Sequence, residues 1–457
     1  MIVFADRRIF MENKRERLGS RLGFILLSAG CAIGCGNVWK FPWMTGQNGG
    51  GGFVLVYVLC LILLGLPAMT MEFALGRASQ SSPVGMYQKL ERKGQKWHFH
   101  GYAALIGNIC LMAFYTVVTG WMINYFVKFL IGRNADIGFV SMIQNPGINV
   151  LYLAIAVALG FGLLCFNLQG GLERVTKYMM SALLVLMVVL AVRSCTLPGA
   201  AEGLKFYLLP DFSKIKGSVI VAAMNQAFFT LSIGIGSMAI FGSYIGKERS
   251  LMGESVNVII LDTFVAIVSG LIIFPACFTY GQEVGAGPSL LFDTMASVFN
   301  NMAGGRIWGA LFFLFMVFAA LSTELAVFEN ILACVRELTG WSRPKGCLIC
   351  ALGIFAVSLT TALGYSVFRF QPFAEGSAWL DFWDFIVSTN LLPLGCLIIV
   401  VFCCYKKFGW GWDNFVEEAN AGKGLKVKNW MKPLFKYFVP AVIIFLYIYG
   451  LVTFKWR

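Results

Sequence analysis

The sequence predicts an all-α polytopic membrane protein with about eleven transmembrane helices, and three observations carry that expectation. First, the 457 residues are 58% hydrophobic and only 13% charged, with a mean hydropathy of +0.75; no soluble domain of this size has that composition. Second, apolar runs such as 53–71 and 439–454 approach the roughly 20 residues that cross a hydrocarbon core of about 30 Å. Third, basic residues collect in alternate loops: before Gly23, over 77–96, at Arg174 and Lys177, at Lys247 and Arg249, over 336–345 and over 406–436. That is the positive-inside pattern, and it puts the N-terminus in the cytoplasm. The formal charge of +13 then reports topology and contact with an anionic leaflet, not nucleic acid.

The spans fall at roughly 22–46, 52–77, 98–132, 149–166, 173–193, 217–246, 252–281, 305–338, 346–364, 379–405 and 434–454. An odd number sends the C-terminus outside. Residues 1–457 read as one transmembrane domain with no linker. The first 21 residues are polar and basic, so no cleavable signal is expected. Thirteen cysteines lie mostly inside spans, without CxxC pairs in loops, and read as small buried apolar groups. The two histidines, His98 and His100, do not make a metal site.

Span 1 contains Ser28-Ala-Gly-Cys-Ala-Ile-Gly-Cys-Gly-Asn37, with Gly30, Gly34, Gly36 and an amide in mid-membrane. Glycine costs a helix about 0.5–1 kcal/mol against alanine, and irregular backbone at this depth is tolerated where it lines a cavity or lies within protein. Span 6 carries a matching Phe228-Phe-Thr-Leu-Ser-Ile-Gly-Ile-Gly236. Five spans is an odd number, so the second copy is inverted. The expected architecture is a 5+5 inverted repeat, about 20–195 and 215–405, with broken helices 1 and 6 and an additional helix at about 434–454.

In span 8, Ala319, Ser322 and Thr323 share one helical face. Neutral oxygens there suit a weakly held monovalent cation; the plainer reading is that both hydroxyls bond their own i−4 carbonyls. Asp262 in span 7 costs at least about 2.5 kcal/mol to insert and is a functional candidate by default, with Asn37 and Thr230 at similar depth. Glu72 in span 2 is expected to accept amides freed by a broken helix. Glu324 and Glu329 remain open between proton-linked function, scaffold and inward vestibule. Charges at span ends read as gates: Lys40 with Asp381 and Asp384 outside, and Arg15 with Glu337 inside. Exposed ion pairs of about 0–1 kcal/mol suit contacts that break in each cycle, and equally describe idle surface pairs.

Arg21-Leu-Gly-Phe, Gly30-x-Ala-Ile-Gly-x-Gly-Asn37, Phe41-Pro42, Asn48-Gly-Gly-Gly-Gly-Phe53 and Glu72-Phe-Ala-Leu-Gly76 resemble the neurotransmitter:sodium symporters. Phe228–Gly236, Ala319-Ala-Leu-Ser-Thr323 and Asn390-Leu-Leu-Pro-Leu-Gly395 extend the likeness over nearly the whole chain, and the length is similar to the eleven-span bacterial branch of multihydrophobic amino-acid transporters. The resemblance implies two sodium sites. One uses the Ala32 carbonyl, Asn37, Thr230, Asp262 and the substrate carboxylate; the other uses carbonyls of Gly30, Ile33 and Ala319 with the hydroxyls of Ser322 and Thr323. It implies a substrate pocket of Cys31, Ala32, Cys35, Gly36, Leu111, Tyr115, Phe229, Thr230, Ser232, Ile235, Thr323 and Val327. Tyr115 would donate to the carboxylate and Phe229 would close over the ligand. Biogenic-amine members carry Asp at Gly34, so here the carboxylate has to come with an amino acid. Asp262 stands where chloride-dependent animal members have Asn, which makes chloride unnecessary.

Four positions depart from the family pattern. Lys40 replaces the gate arginine and cannot form its bidentate fork. Leu18 replaces the inner-gate tryptophan. Gly171…Ser181 lacks the span-5 proline, and Glu324 lies outside the pattern.

The expected function is a sodium-coupled symporter importing neutral, apolar or aromatic L-amino acids by alternating access. It would be a multi-pass monomer or weak oligomer of the cell's inner (plasma) membrane, in contact with lipid bilayer and small-molecule substrate. A proton-coupled carrier using Glu324 or Asp262 is the alternative. A channel would need a continuous polar stripe, and an enzyme would need a nucleophile–base pair or metal motif; the sequence offers neither.

Overall fold

Helices account for every span in the computed structural model, which describes residues 17–133, 138–284, 287–373 and 376–453. Arg15 therefore lies outside the described residues. Among these residues no strand forms beyond one isolated bridge, Arg249 to Lys423. Among the described residues nine helices are long and apolar enough to cross a bilayer, and the bent pair Arg21–Ala32 and Gly36–Gln47 makes a tenth. The expected span 6 is present as Gly217–Thr230 and Ser237–Gly242, each too short to cross alone.

Local chemistry sets the helix ends. The Ser20 hydroxyl accepts from Gly23 N–H at the start of span 1, and Asn145 does the same for Ile148 ahead of Pro146 in span 4, each satisfying a donor the first turn leaves free. Span 8, Gly305–Thr339, is bounded by left-handed Gly304 and Gly340.

Span 3 (His98–Ile131) and span 8 pack along each other at the centre, with 78% and 83% of their apolar windows buried. The last span, Asn429–Thr453, is only 28% buried. Its outward face, with Ile444, Phe445, Ile448 and Val452 exposed, suits hydrocarbon and would be a liability in water. Depth in the bundle thus separates the helices that can build a site from those that face lipid.

Two breaks interrupt this packing. After Ala32 the chain turns extended at Ile33 (ψ 92°) and resumes with a bend of 54°. In span 6, Ser232 (φ +50°), Gly234 (φ +109°) and Gly236 (φ +77°) take left-handed backbone. Gly234 has no alternative there: a Cβ would strike the Leu392 carbonyl, and φ above zero strains any L side chain. The expected role of Glu72 is visible at this point. Its Oε2 accepts Gly234 N–H at 2.8 Å and its Oε1 accepts Met238 N–H at 3.0 Å. The Gly171…Ser181 stretch behaves as a π-turn, Leu168–Glu173, followed by an uninterrupted helix, Arg174–Cys195.

Gly234→Ala is expected to add about 1–3 kcal/mol of backbone strain and lower the melting temperature in detergent. Gly353→Ala, in a helix with open space at its Cβ, should not lower it and by helix propensity raises it slightly; a tryptophan-fluorescence melt compares the two.

Candidate functional site

The two breaks face each other across a small cavity at the centre of the bundle. Its walls are Cys31, Ala32, Gly34, Cys35 and Gly36 of span 1, Leu111 and Tyr115 of span 3, and Phe229, Thr230, Ser232 and Ile235 of span 6, with Thr323 of span 8 and Leu392 of span 10. Eleven of the twelve pocket residues expected from the sequence meet here. Val327, one turn beyond Thr323, is buried in the packing and is not on the wall. Leu392 was not singled out from the sequence, although the Asn390–Gly395 run that contains it was.

The cavity measures about 30 Å³. Tyr115 closes one end: its hydroxyl accepts the Cys35 N–H at 3.2 Å, leaving its own hydrogen to donate. Gly34 permits this. A Cβ at that position would lie 2.5 Å from both the Tyr115 hydroxyl and Thr323 Oγ1, so the pocket has neither room for a side chain there nor a carboxylate of its own.

The span-8 hydroxyls cross to span 1. Thr323 Oγ1 lies 3.1 Å from the Gly30 carbonyl and 3.3 Å from those of Cys31 and Ile33. Ser322 Oγ is 2.9 Å from its own Ala319 carbonyl and 3.3 Å from Ile33 O. Thr323 thus abandons the local i−4 bond, while Ser322 keeps an i−3 contact and adds the interhelical one. Gly30, Ile33 and Ala319 carbonyls with two hydroxyls make a neutral, all-oxygen group, the chemistry that suits a monovalent cation.

A second polar group surrounds Asp262. Asn37 Nδ2 donates to Asp262 Oδ1 at 2.8 Å and to its carbonyl at 3.1 Å, while Asn37 Oδ1 is 3.4 Å from Gly34 N. Gln226 Nε2 donates to Gly36 O at 3.0 Å. Around them Asp262 Oδ2, Thr230 Oγ1, Gln226 Oε1 and the Tyr57 hydroxyl are all buried without a hydrogen-bond partner. Buried polar atoms are ordinarily satisfied, and a buried carboxylate oxygen beside a free hydroxyl is where a cation fits. Among the described residues no cluster of His, Cys, Asp or Glu forms a transition-metal site.

The expected gates divide. Lys40 Nζ stands 3.6 Å over the Phe229 ring, a cation–π contact. It makes no ion pair with Asp381 or Asp384. Asp381 instead caps its helix by accepting Ala378 N–H at 2.8 Å, and Asp384 accepts from Ser388 at 2.6 Å. Next to Phe229 a larger cavity of about 740 Å³ opens between Lys40, Trp43, Asp384 and Leu446. Glu337, expected at the other gate, accepts Ser82 N–H at 2.7 Å through Oε2, and the Leu18 N–H donates to Tyr244 O at 3.2 Å. Glu329 proves to be scaffold: it pairs with Arg343 at 2.6 Å and accepts from Tyr244 at 2.8 Å. Glu324 is buried with both carboxyl oxygens unpartnered.

The model of the sodium:neurotransmitter symporter family matches residues 15–135 and 129–457. The chain belongs to this family. A sodium-dependent transporter of Bacillus subtilis, YhdH, is 34% identical over 97% of this chain and all of its own length. A sodium-dependent transporter of Haemophilus influenzae is 31% identical over 96% of this chain and 99% of its own. Among solved structures, that of MhsT in complex with L-phenylalanine superposes with a TM-score of 0.85 at 34% identity, over 95% of this chain and 99% of that one. As a member of the symporter family the chain is an integral membrane protein and a transporter, and sodium use follows from the family.

Gly34→Ala is expected to push Tyr115 or Thr323 aside at a cost of about 1–3 kcal/mol of overpacking. A lowered melting temperature in detergent measures it.

Proposed function

We propose that the chain is a sodium-coupled symporter that imports neutral L-amino acids, with preference for apolar or aromatic side chains, by alternating access. One observation carries this reading. The polar end of the central cavity, at Gly34 and Tyr115, offers hydrogen-bond donors and no carboxylate, so the ligand supplies the anion. The Tyr115 hydroxyl would turn its hydrogen to that carboxylate. Cys31, Cys35, Leu111, Phe229 and Ile235 leave the other end apolar, and the phenylalanine bound by MhsT is in keeping with that lining.

Two cations are cotransported in this reading. One sits with Asn37, Thr230, Asp262, the Ala32 carbonyl and the substrate carboxylate. The other sits with the Gly30, Ile33 and Ala319 carbonyls, Ser322 and Thr323. Sodium and amino acid share the first site, so each raises the affinity of the other by the same factor. Asp262 supplies the negative charge that makes chloride unnecessary. The breaks in spans 1 and 6, five spans apart, support the inverted-repeat organisation. The loop charges support a cytoplasmic N-terminus and an outward C-terminus in the cell's inner membrane.

The alternative, a proton-coupled carrier of the same architecture, has Glu324 in its favour, buried without partners. Uptake into proteoliposomes separates the two. An inward sodium gradient at uniform pH is expected to drive accumulation of L-phenylalanine or L-leucine, and replacing sodium with potassium to abolish it. Accumulation driven by a pH gradient without sodium would select the proton carrier. Exchanging chloride for gluconate is expected to leave uptake within about twofold, less than 0.5 kcal/mol; its loss would remove the role given to Asp262.

A further inference from the structure

The break in span 6 frees peptide groups that neither cation nor ligand needs, and span 3 takes two of them. Asn108 Nδ2 donates to the Ile235 carbonyl at 2.7 Å and to Ala104 O at 2.7 Å, spending both hydrogens. The Ser237 hydroxyl donates to Asn108 Oδ1 at 3.4 Å. Eight residues earlier, about two turns along the same face, stands His100, nine-tenths buried. Its Nδ1 lies 2.9 Å from the Tyr87 hydroxyl, and its Nε2 is directed at the Gly234 carbonyl. A tautomer with the hydrogen on Nε2 satisfies both contacts, Tyr87 donating to Nδ1. Glu72 meanwhile holds the N–H of Gly234. Of two consecutive carbonyls at the break, that of Ile235 is therefore held by Asn108 and that of Gly234 faces His100 on the same helix, and neither side chain lines the cavity.

Ile235 gives this arrangement a consequence for selectivity. Ile235 is among the residues that line the cavity, and its Cγ2 lies 3.1 Å from where a Cβ on Gly107 of span 3 would stand. The backbone holding Ile235 has left-handed neighbours and no helical hydrogen bonds to keep its place. Its position is set by the bonds from span 3. Below it, Tyr87 sits in the helix Pro83–Leu90, whose Pro83 ring fills the space a side chain at Gly236 would occupy. The clamp is thus braced from outside the central site.

We propose that His100 and Asn108 are positioning residues that hold the Gly234 and Ile235 carbonyls and thereby set which amino-acid side chains the transport site accepts. This rests on the amino-acid reading above. Truncating Asn108 leaves a buried carbonyl unsatisfied, a state the backbone relieves by moving. Ile235 moves with it, and the space for a ligand side chain changes. The cation ligands on spans 1 and 8 are not held by this clamp.

The test uses the purified full chain with radiolabelled L-phenylalanine and L-leucine as probes in NaCl. Asn108→Ala and His100→Leu are each expected to shift the phenylalanine-to-leucine affinity ratio by about fivefold or more, within the range that pocket shape controls. His100→Gln, which keeps a donor for the Gly234 carbonyl, should stay within about twofold of the native ratio. The sodium concentration that half-maximally raises the melting temperature without amino acid should stay native in all three. Should Asn108→Ala fail to accumulate, the His100→Leu and His100→Gln pair decides alone. A native ratio in the folded variants, or His100→Gln behaving as His100→Leu, overturns the clamp while the transport reading stands. A native chain that binds neither probe in NaCl overturns both.

Discussion

Peptide groups released at mid-bilayer have no water to turn to, and everything at the centre of this molecule answers that shortage. Where span 6 unwinds, the Glu72 carboxylate accepts the amides of Gly234 and Met238. Where span 1 unwinds, carbonyls of Gly30, Cys31 and Ile33 gather around Thr323. The first arrangement uses up donors and the second concentrates acceptors. Span 1 therefore presents oxygens where a cation would sit, with its freed amides on Tyr115 and Asn37, while the amides of span 6 are taken up by a fixed anion. The same shortage explains why the site sits between spans 3 and 8, the most enclosed helices. Only there does protein surround the irregular backbone.

The cost of a buried charge orders the carboxylates by task. Glu72 meets backbone amides, Glu329 meets Arg343 and Tyr244, and Asp262 meets Asn37 with one oxygen and keeps the other unmet. A carboxylate fully met is framework, because nothing further can reach it without breaking a bond. One met halfway retains affinity for a positive charge. Glu324, with neither oxygen partnered, belongs to neither kind.

Much of this was legible in the chain because it depends on residue types that are out of place in a lipid-spanning helix. Glycines at 30, 34, 36, 234 and 236, the Ser322–Thr323 pair and the acids at 72 and 262 each violate the pattern of an apolar span, and each lies at or beside a break. The pocket walls followed from the family resemblance. What escaped depends on the approach of distant segments. His100 could be read only as a poor metal ligand, because its partner is a carbonyl 134 residues away that becomes available only when span 6 unwinds. Asn108 was not singled out, because nothing in its span marks the Ile235 carbonyl it meets. Lys40 was expected to meet an aspartate, and the Phe229 ring turned out to be nearer. Val327, which the resemblance placed in the pocket, is buried beside Thr323 and is not among the residues lining the cavity.

Phe229 lines both a hollow of about 740 Å³ and a neighbouring one of about 30 Å³. The smaller has room for water-sized occupants only. With the ring in this place, a ligand the size of an amino acid cannot be seated without the walls moving. A cargo large enough to push the walls apart brings its own contacts to offset the work of doing so.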